Sequence, residues 1–252
     1  MGRRPTTRLR KRRPRVNDWL KIIQQWVFPP TCLLCGDSGR WDCDLCAPCH
    51  GALPHRASAC IKCATLLEHD RGLICGACLK QPPVFDSAFA AFDYEEPVRH
   101  LIHALKFGRR YAHSRLLGTL LAERVAERSD LPERLVPVPL HSARYRERGF
   151  NQSAEIAREI SRRLKIPLDL KSVRRFRATH SQIGLSAAER IHNVKNAFEV
   201  LQPLHARRVA IIDDVMTTGS TVAELAKILK SAGVARVEVW VCARADGPCF
   251  SS

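Results

Sequence analysis

Apolar residues along the chain fall into short runs and helical stripes, and their spacing predicts an order of elements. Val209 to Ile212 are four apolar residues between charge and a turn, too short for a helix, and read as a buried strand. Val222 to Gly233 follows with the spacing of an amphipathic helix ending at a glycine. Upstream, Val84 to Tyr94 spaces Phe85, Phe89, Phe92 and Tyr94 as a sheet requires. Pro97 opens a helix over Val98 to Phe107 with Leu101, Ile102 and Leu105 on its buried side. His113 to Arg128 reads as a second amphipathic helix, and Ser153 to Leu164 as a third. Arg134 to Leu140 is a second buried strand, limited by its prolines, and Val237 to Cys242 a further one. Near the start, Asn17 and Asp18 cap a short helix, Trp19 to Phe28, stopped by Pro29-Pro30. Its broad apolar face is expected to pack on the neighbouring module.

At 252 residues the chain has room for one α/β domain and a smaller module. A hydrophobic fraction of 45% supports a packed core. The net charge of +16 divides unevenly: residues 1–15 carry eight Arg or Lys and no acid, and residues 16–80 balance. The expected division is a disordered basic tail over 1–16, a short helix plus metal module over 17–80, and an α/β domain over 84–246. Gln81-Pro82-Pro83 reads as the linker. No apolar run approaches a membrane span, and the basic start lacks the cleavage site of an export signal.

Eight of the eleven cysteines form C-x-x-C pairs, a spacing that lets two sulfurs reach one ion. Cys32/Cys35 pairs naturally with Cys46/Cys49, and Cys60/Cys63 with Cys75/Cys78, giving two structural Zn²⁺ sites. Gly36 and Gly76 are read as the residues that allow the tight turns. Three alternatives stay open at this level. Cys43 also forms a C-x-x-C with Cys46; Asp44, His50 and His55 carry metal-binding atoms; and the pairing can be sequential or interleaved. Thiolate sites need a reducing compartment, so the expected location is the cytoplasm. Cys242 reads as a buried structural thiol, and Cys249 has no evident partner.

Two carboxylates, Asp213 and Asp214, fall at the carboxyl end of the first strand, where open α/β sheets bind ligands. Thr217-Thr218-Gly219-Ser220-Thr221 follows and opens a helix, leaving backbone N–H groups for a phosphate. The acid pair suits the hydroxyls of a ribose, so a ribose phosphate is the expected ligand. The second strand runs into His141-Ser142-Ala143-Arg144-Tyr145-Arg146-Glu147-Arg148 and then Gly149-Phe150-Asn151-Gln152 at a helix start, which suits pyrophosphate. Lys171 to Arg177 holds four basic residues and no acid, and with Thr179 to Leu185 reads as a mobile loop closing over an anion. Lys106 fits either a phosphate or the carboxyl end of its own helix.

The string Ile211-Ile-Asp-Asp-Val-Met-Thr-Thr-Gly-Ser-Thr221 closely resembles the phosphoribosyl-pyrophosphate (PRPP) signature of type I phosphoribosyltransferases. With Phe28-Pro-Pro-x-Cys32, Leu45-Cys46-x-x-Cys49, Lys106-Phe107, Val136-Pro-Val-Pro-Leu140 and Arg148-Gly-Phe-Asn-Gln152, the chain resembles the ComF family. Thr179-x-x-Gln-x-x-Leu185, Arg190-x-x-Asn193 and Ala197-Phe198 extend the resemblance, from about Phe28 to Ala245. These are double-zinc-ribbon proteins with a phosphoribosyltransferase-like domain, known from DNA uptake in natural competence. The resemblance implies that Asp213 and Asp214 hold ribose, and that Thr217 to Thr221 hold the 5-phosphate. It implies further that the Leu140–Gly149 segment, with His141, Ser142, Arg144 and Arg148, holds pyrophosphate with Mg²⁺. Two functions from different classes follow: a phosphoribosyltransferase of unknown acceptor, or a non-catalytic scaffold of DNA uptake. The scaffold would bind single-stranded DNA and DNA-uptake proteins through its basic surface and basic tail, and that binding would fall steeply with salt.

Overall fold

The computed structural model describes residues 30–40, 43–67, 73–108, 111–177 and 194–245. The basic tail, the Trp19–Phe28 helix, the Thr179–Leu185 stretch, the Arg190–Asn193 motif and Cys249 lie outside the described residues.

Four parallel strands form the central sheet: β1 (Ser87–Asp93), β2 (Arg134–Pro137), β5 (Arg208–Met216) and β6 (Arg236–Arg244), in the order β1-β6-β5-β2. The two inner strands are nearly continuous apolar runs, as strands covered on both faces must be. Alternation along them separates two cores. Ala210, Ile212, Trp240 and Cys242 face α3 (Val98–Gly108), α4 (Tyr111–Ala126) and α6 (Gln152–Leu164). Val209, Ile211, Val237, Val239 and Val241 face α7 (Ser220–Ser231) and a small antiparallel pair, β3 (Val173–Arg175) with β4 (Phe198–Val200). Between β2 and α6 lies a short helix, α5 (Ser142–Arg148).

The cysteine segment carries two one-turn helices, α1 (Ala47–Gly51) and α2 (Gly76–Lys80). It packs on the sheet instead of standing apart. Cys32, Cys43, Leu45, Cys46 and Leu53 belong to the same apolar cluster as Leu101, Leu105, Leu116 and Leu120. Its exit adds to the free edge of β1, where the Asp93 amide donates to the Pro54 carbonyl at 2.9 Å.

Several elements differ from the sequence reading. β5 does not stop at Ile212. β6 is equally long and supplies partners as far as Met216 opposite Arg244, so both acids lie within the strand. Lys171 to Arg177 is not a loop throughout, because Val173–Arg175 pairs with β4. The arginine-rich segment is helical at α5, so alternate residues there point to different sides. α4 is not amphipathic: ten of its sixteen residues are buried, because sheet, α6 and cysteine segment enclose it. Gly36 has φ +84° as a tight turn requires, whereas Gly76 merely begins α2.

Gly118 marks where α4 and α6 come closest. A Cβ there would stand 2.7 Å from Glu159 Cβ and 2.9 Å from the Ile156 carbonyl oxygen. Neither neighbour is a flexible side-chain tip, so Gly118→Ala must push the helices apart. A loss of about 1–3 kcal/mol is expected, read as a lower urea midpoint with an unchanged slope.

Candidate functional site

The carboxyl ends of the parallel strands gather the chemistry. Because side chains alternate along β5, Asp213 and Asp214 point to opposite faces of the sheet. Asp214, 4% exposed, faces α3, whose last turn brings Lys106 Nζ to 2.8 Å from its Oδ2. Its Oδ1 accepts the Val215 amide at 2.9 Å. Lys106 is therefore the counter-ion of Asp214. Burial works against its charge, but Asp214 and then Asp213 outweigh that and raise its pKa.

Asp213 faces the β3–β4 side and meets the start of α6. Its Oδ1 accepts from Ser153 Oγ at 2.8 Å and from the Asp214 amide at 3.0 Å, while its Oδ2 has no hydrogen bond among the described residues. Burial first, and the charge of Asp214 second, push the Asp213 carboxyl up to about 7, against the pull of Ser153 and Lys106. Above that pH the site carries an ionised carboxylate with one oxygen open.

The small-residue loop joins β5 to α7. Gly219 precedes the helix with φ +79°, a conformation that strains any side chain. Thr218 Oγ1 lies 3.0 Å from Ser220 Oγ and accepts the Ser220 amide at 3.4 Å. The loop is thus fixed by its own hydroxyls, with the helix N-terminus behind it. Gly219 gives that helix no side-chain cap.

Opposite the acids, His141 caps α5 by accepting the Ala143 amide on Nδ1 at 3.3 Å. Asn151 caps α6 through Ser153 N at 3.0 Å and donates to the Val138 carbonyl at 3.0 Å, tying β2 to the helix that carries Ser153. Of the sequence-derived arginines, Arg144 pairs with Glu147 at 3.8 Å, and its charge is felt at Arg175 of β3, as is that of Asp213. Burial lowers the Arg175 pKa, Asp213 opposes this, and Arg144 adds to it. Arg148 instead donates to Gln152 at 2.9 Å, and Arg146 to the Ser142 carbonyl at 3.4 Å. Ser142 is exposed beside them. Sequence reasoning did not single out Ser153, and it took Arg175 only as one of the basic residues of a loop over Lys171 to Arg177. The Asn151 cap signal points to Ser153, but only long-range packing brings Arg175 to the sheet.

The cysteines form two sequential clusters, Cys32/Cys35/Cys46/Cys49 and Cys60/Cys63/Cys75/Cys78, with the sulfurs of each within 4.8 Å of one another. Tetrahedral zinc with bonds of about 2.3 Å separates its sulfurs by about 3.8 Å. Cys35 and Cys46 Sγ are 3.6 Å apart, as are Cys63 and Cys75. Thiolate is favoured where backbone amides aim at sulfur. Burial opposes ionisation of Cys32, but the amides of Cys46, Cys35 and Leu34 bring its pKa down to about 6. The donor set fits two Zn²⁺ sites. Cys43 stays outside both clusters and packs in the core, while Asp44 pairs with Arg115 and the His55 ring packs on Phe92. Cys242 is fully buried beneath the acids, as expected of a structural thiol, and burial pushes its pKa well up.

Residues 23–79 match the double zinc ribbon domain, and residues 151–249 the phosphoribosyl transferase domain. The DNA utilization protein YhgH of Escherichia coli (strain K12) is 41% identical over 226 residues, covering 86% of this chain and 98% of that protein. Competence protein F of Haemophilus influenzae is 42% identical over 179 residues, 68% of this chain and 78% of that one. The solved allosteric regulatory enzyme of purine biosynthesis overlaps 52% of this chain and 26% of its own, at 21% identity and a TM-score of 0.36. Among the described residues no helix is long and apolar enough to cross a membrane.

Proposed function

The chain belongs to the ComF family, with DNA utilization protein YhgH and Competence protein F among its relatives, and on that premise we propose that it binds PRPP, or a related ribose phosphate, at the carboxyl end of β5. The observation that carries this reading is the single open carboxylate oxygen of Asp213 beside a glycine-led helix start. A hydroxyl donor and a phosphate are thereby accommodated a few residues apart. Thr217, Thr218, Gly219, Ser220 and Thr221 wrap the 5-phosphate with backbone amides and hydroxyls. Asp213 accepts from a ribose hydroxyl, and Asp214 acts together with Lys106, which cancels one of the pair's two negative charges. Arg144, with Arg175 beside it, faces the pyrophosphate, and His141, Ser142 and Arg148 complete that wall. Mg²⁺ would supply charge neutralisation for the pyrophosphate. Displacement at C1 would then depend on electrostatic stabilisation of the leaving group by these arginines. The chain then divides into a basic tail over 1–16, a helix and zinc module over 17–80 and the ligand-binding domain over 84–246. By kinship the ligand site serves DNA utilisation or competence inside the cell.

The test is calorimetric titration of PRPP with Mg²⁺ into zinc-loaded protein, beside Asp213→Asn/Asp214→Asn. Binding is expected in the wild type and a loss of at least about 100-fold in the double variant, since hydrogen bonds to charged groups contribute about 1.5–3 kcal/mol each. No binding to folded wild type removes the ribose-phosphate reading and favours the scaffold. The pH dependence has a definite sign. A hydroxyl donates more strongly to ionised Asp213 than to its protonated form, so affinity rises as pH climbs through about 7, and Asp213→Asn loses that component. Stability runs oppositely. The folded state keeps a proton that the unfolded chain releases near pH 4, so this group's contribution declines from about pH 4 through about pH 7.

A further inference from the structure

The Arg148–Gln152 motif leads into α6, and the first turn of that helix has a role other than anion binding. Helix starts attract anions through amides that lack helical partners. Here three amides are committed to Asn151. Its Oδ1 accepts the Ser153 amide at 3.0 Å and the Ala154 amide at 3.3 Å, and its carbonyl accepts the Glu155 amide at 3.0 Å. Asn151 Nδ2 donates to the Val138 carbonyl at 3.0 Å, which fixes the turn to the end of β2. What the turn presents to the acids is a side chain. Ser153, 1% exposed, donates from its Oγ to Asp213 Oδ1 at 2.8 Å.

An aspartate carboxyl turns easily about its last torsion, so the oxygen that meets a ligand has to be chosen by its neighbours. Two donors converge on Oδ1, the Ser153 hydroxyl and the Asp214 amide at 3.0 Å. Both favour the ionised form and so oppose the burial that favours the proton. Charges reach the same carboxyl from other elements. Asp214, on the same strand, pushes its pKa up, and Lys106 of α3 pulls it down. Arg175 of β3 and the Cys242 thiol of β6 also feel Asp213, and Arg144 of α5 acts on Arg175. Ser153 differs from these groups in touching the carboxylate directly. Losing its hydroxyl would free the carboxyl to turn and would also make it harder to ionise.

We propose that Ser153 is a positioning residue for ribose binding, its hydroxyl holding the Asp213 carboxylate by Oδ1 so that Oδ2 is presented to the ligand. The ligand half rests on the function proposed above; the hold of Ser153 on Asp213 does not.

The test compares zinc-loaded full-length protein with its Ser153→Ala and Ser114→Ala variants. Ser114 is another buried serine, whose Oγ donates to the Tyr111 carbonyl at 2.7 Å, so its loss reports a packing defect in general. Carboxyl carbon-13 signals of aspartate-labelled protein are followed against pH without ligand, the Asp213 signal being identified by its absence from Asp213→Asn. Asp213 should titrate near 7 in the wild type and in Ser114→Ala. In Ser153→Ala it should titrate about one pH unit higher, as loss of one hydrogen bond to a charged group implies. PRPP with Mg²⁺, titrated calorimetrically, should bind Ser153→Ala about tenfold more weakly than wild type at pH 7. At pH 9 both proteins hold ionised Asp213, only its orientation differs, and the deficit should narrow to about threefold. A titration that Ser153→Ala leaves in place, or that Ser114→Ala moves as far, overturns the proposal. So does equal PRPP affinity of wild type and Ser153→Ala at both pH values. A shifted titration in a protein that binds no PRPP keeps the hold of Ser153 on Asp213 and overturns the ligand reading instead.

Discussion

Replacing Cys46 with serine is expected to unfold the α/β core, whereas replacing Cys78 leaves it folded. The two clusters occupy different places in the packing. Cys32 and Cys46 sit in one apolar cluster with Leu45, Leu53 and the buried faces of α3 and α4. Asp44 pairs with Arg115 across the same contact, and His50 stands 4.0 Å from Glu123. Losing the first metal therefore removes part of the floor beneath two core helices. A structural zinc contributes about 10–16 kcal/mol in small zinc modules, as much as the whole stability of a typical domain, about 5–15 kcal/mol. Among the described residues, Cys60, Cys63 and Cys78 form a separate cluster with Leu67, Ile74 and Cys75 packed against it. Its loss frees a local segment. Circular dichroism during chelation should show two stages, the first without loss of helix and the second cooperative. A single cooperative loss with both variants unfolded would show that the second cluster supports the core as well.

Lys106→Met should destabilise the protein by about 3–5 kcal/mol and weaken PRPP binding more than tenfold. Asp214 is almost wholly buried and Lys106 is its ion-pair partner at 2.8 Å. Methionine preserves the stem but leaves a buried charge next to a second carboxylate. The deficit should narrow on acidification, because a proton taken up by the pair removes the uncompensated charge. A Lys106→Met/Asp214→Asn double variant should recover most of the stability, the two changes being strongly non-additive, while PRPP binding stays weak. Denaturant titrations of the wild type, Lys106→Met, Asp214→Asn and the double variant at pH 5.5 and 8 decide it. Equal deficits at both pH values, or additive effects, would make Lys106 a surface charge of no special role.

What could be read from the sequence was whatever local spacing determines. C-x-x-C pairs place two sulfurs by themselves, so the sequential clusters followed from order along the chain. The Val209–Ile212 run and the Gly219 turn likewise carry their structure locally. The unread part depends on partners far away. Nothing near Asp213 shows that β6 extends β5 through Met216 and thereby sends the two acids to opposite faces. Lys106 lies more than a hundred residues from Asp214, and its charge also suits a helix end. The basic stretch after Lys171 lacks apolar alternation, so its pairing at Val173–Arg175 with β4 was invisible until Phe198 supplied a buried neighbour. The helix at Tyr111–Ala126 carried Ser114, Thr119 and Glu123 among its leucines, which suggested a solvent face. Enclosure by three neighbours buries most of that polarity.

The strand order has a consequence for synthesis. β6 follows every other strand along the chain, yet it lies between β1 and β5. While the ribosome is still making it, β1 has no sheet partner, and β5 pairs only with β2. The eight clustered cysteines, by contrast, have all emerged long before, so both metal clusters can fill on a nascent chain whose sheet has an open slot. During that interval two apolar strand edges face outward, the situation in which unpaired strands are prone to join the wrong chain. Metal loading and sheet closure are thus separate events in the life of this protein, and the second waits for residues Arg236–Arg244.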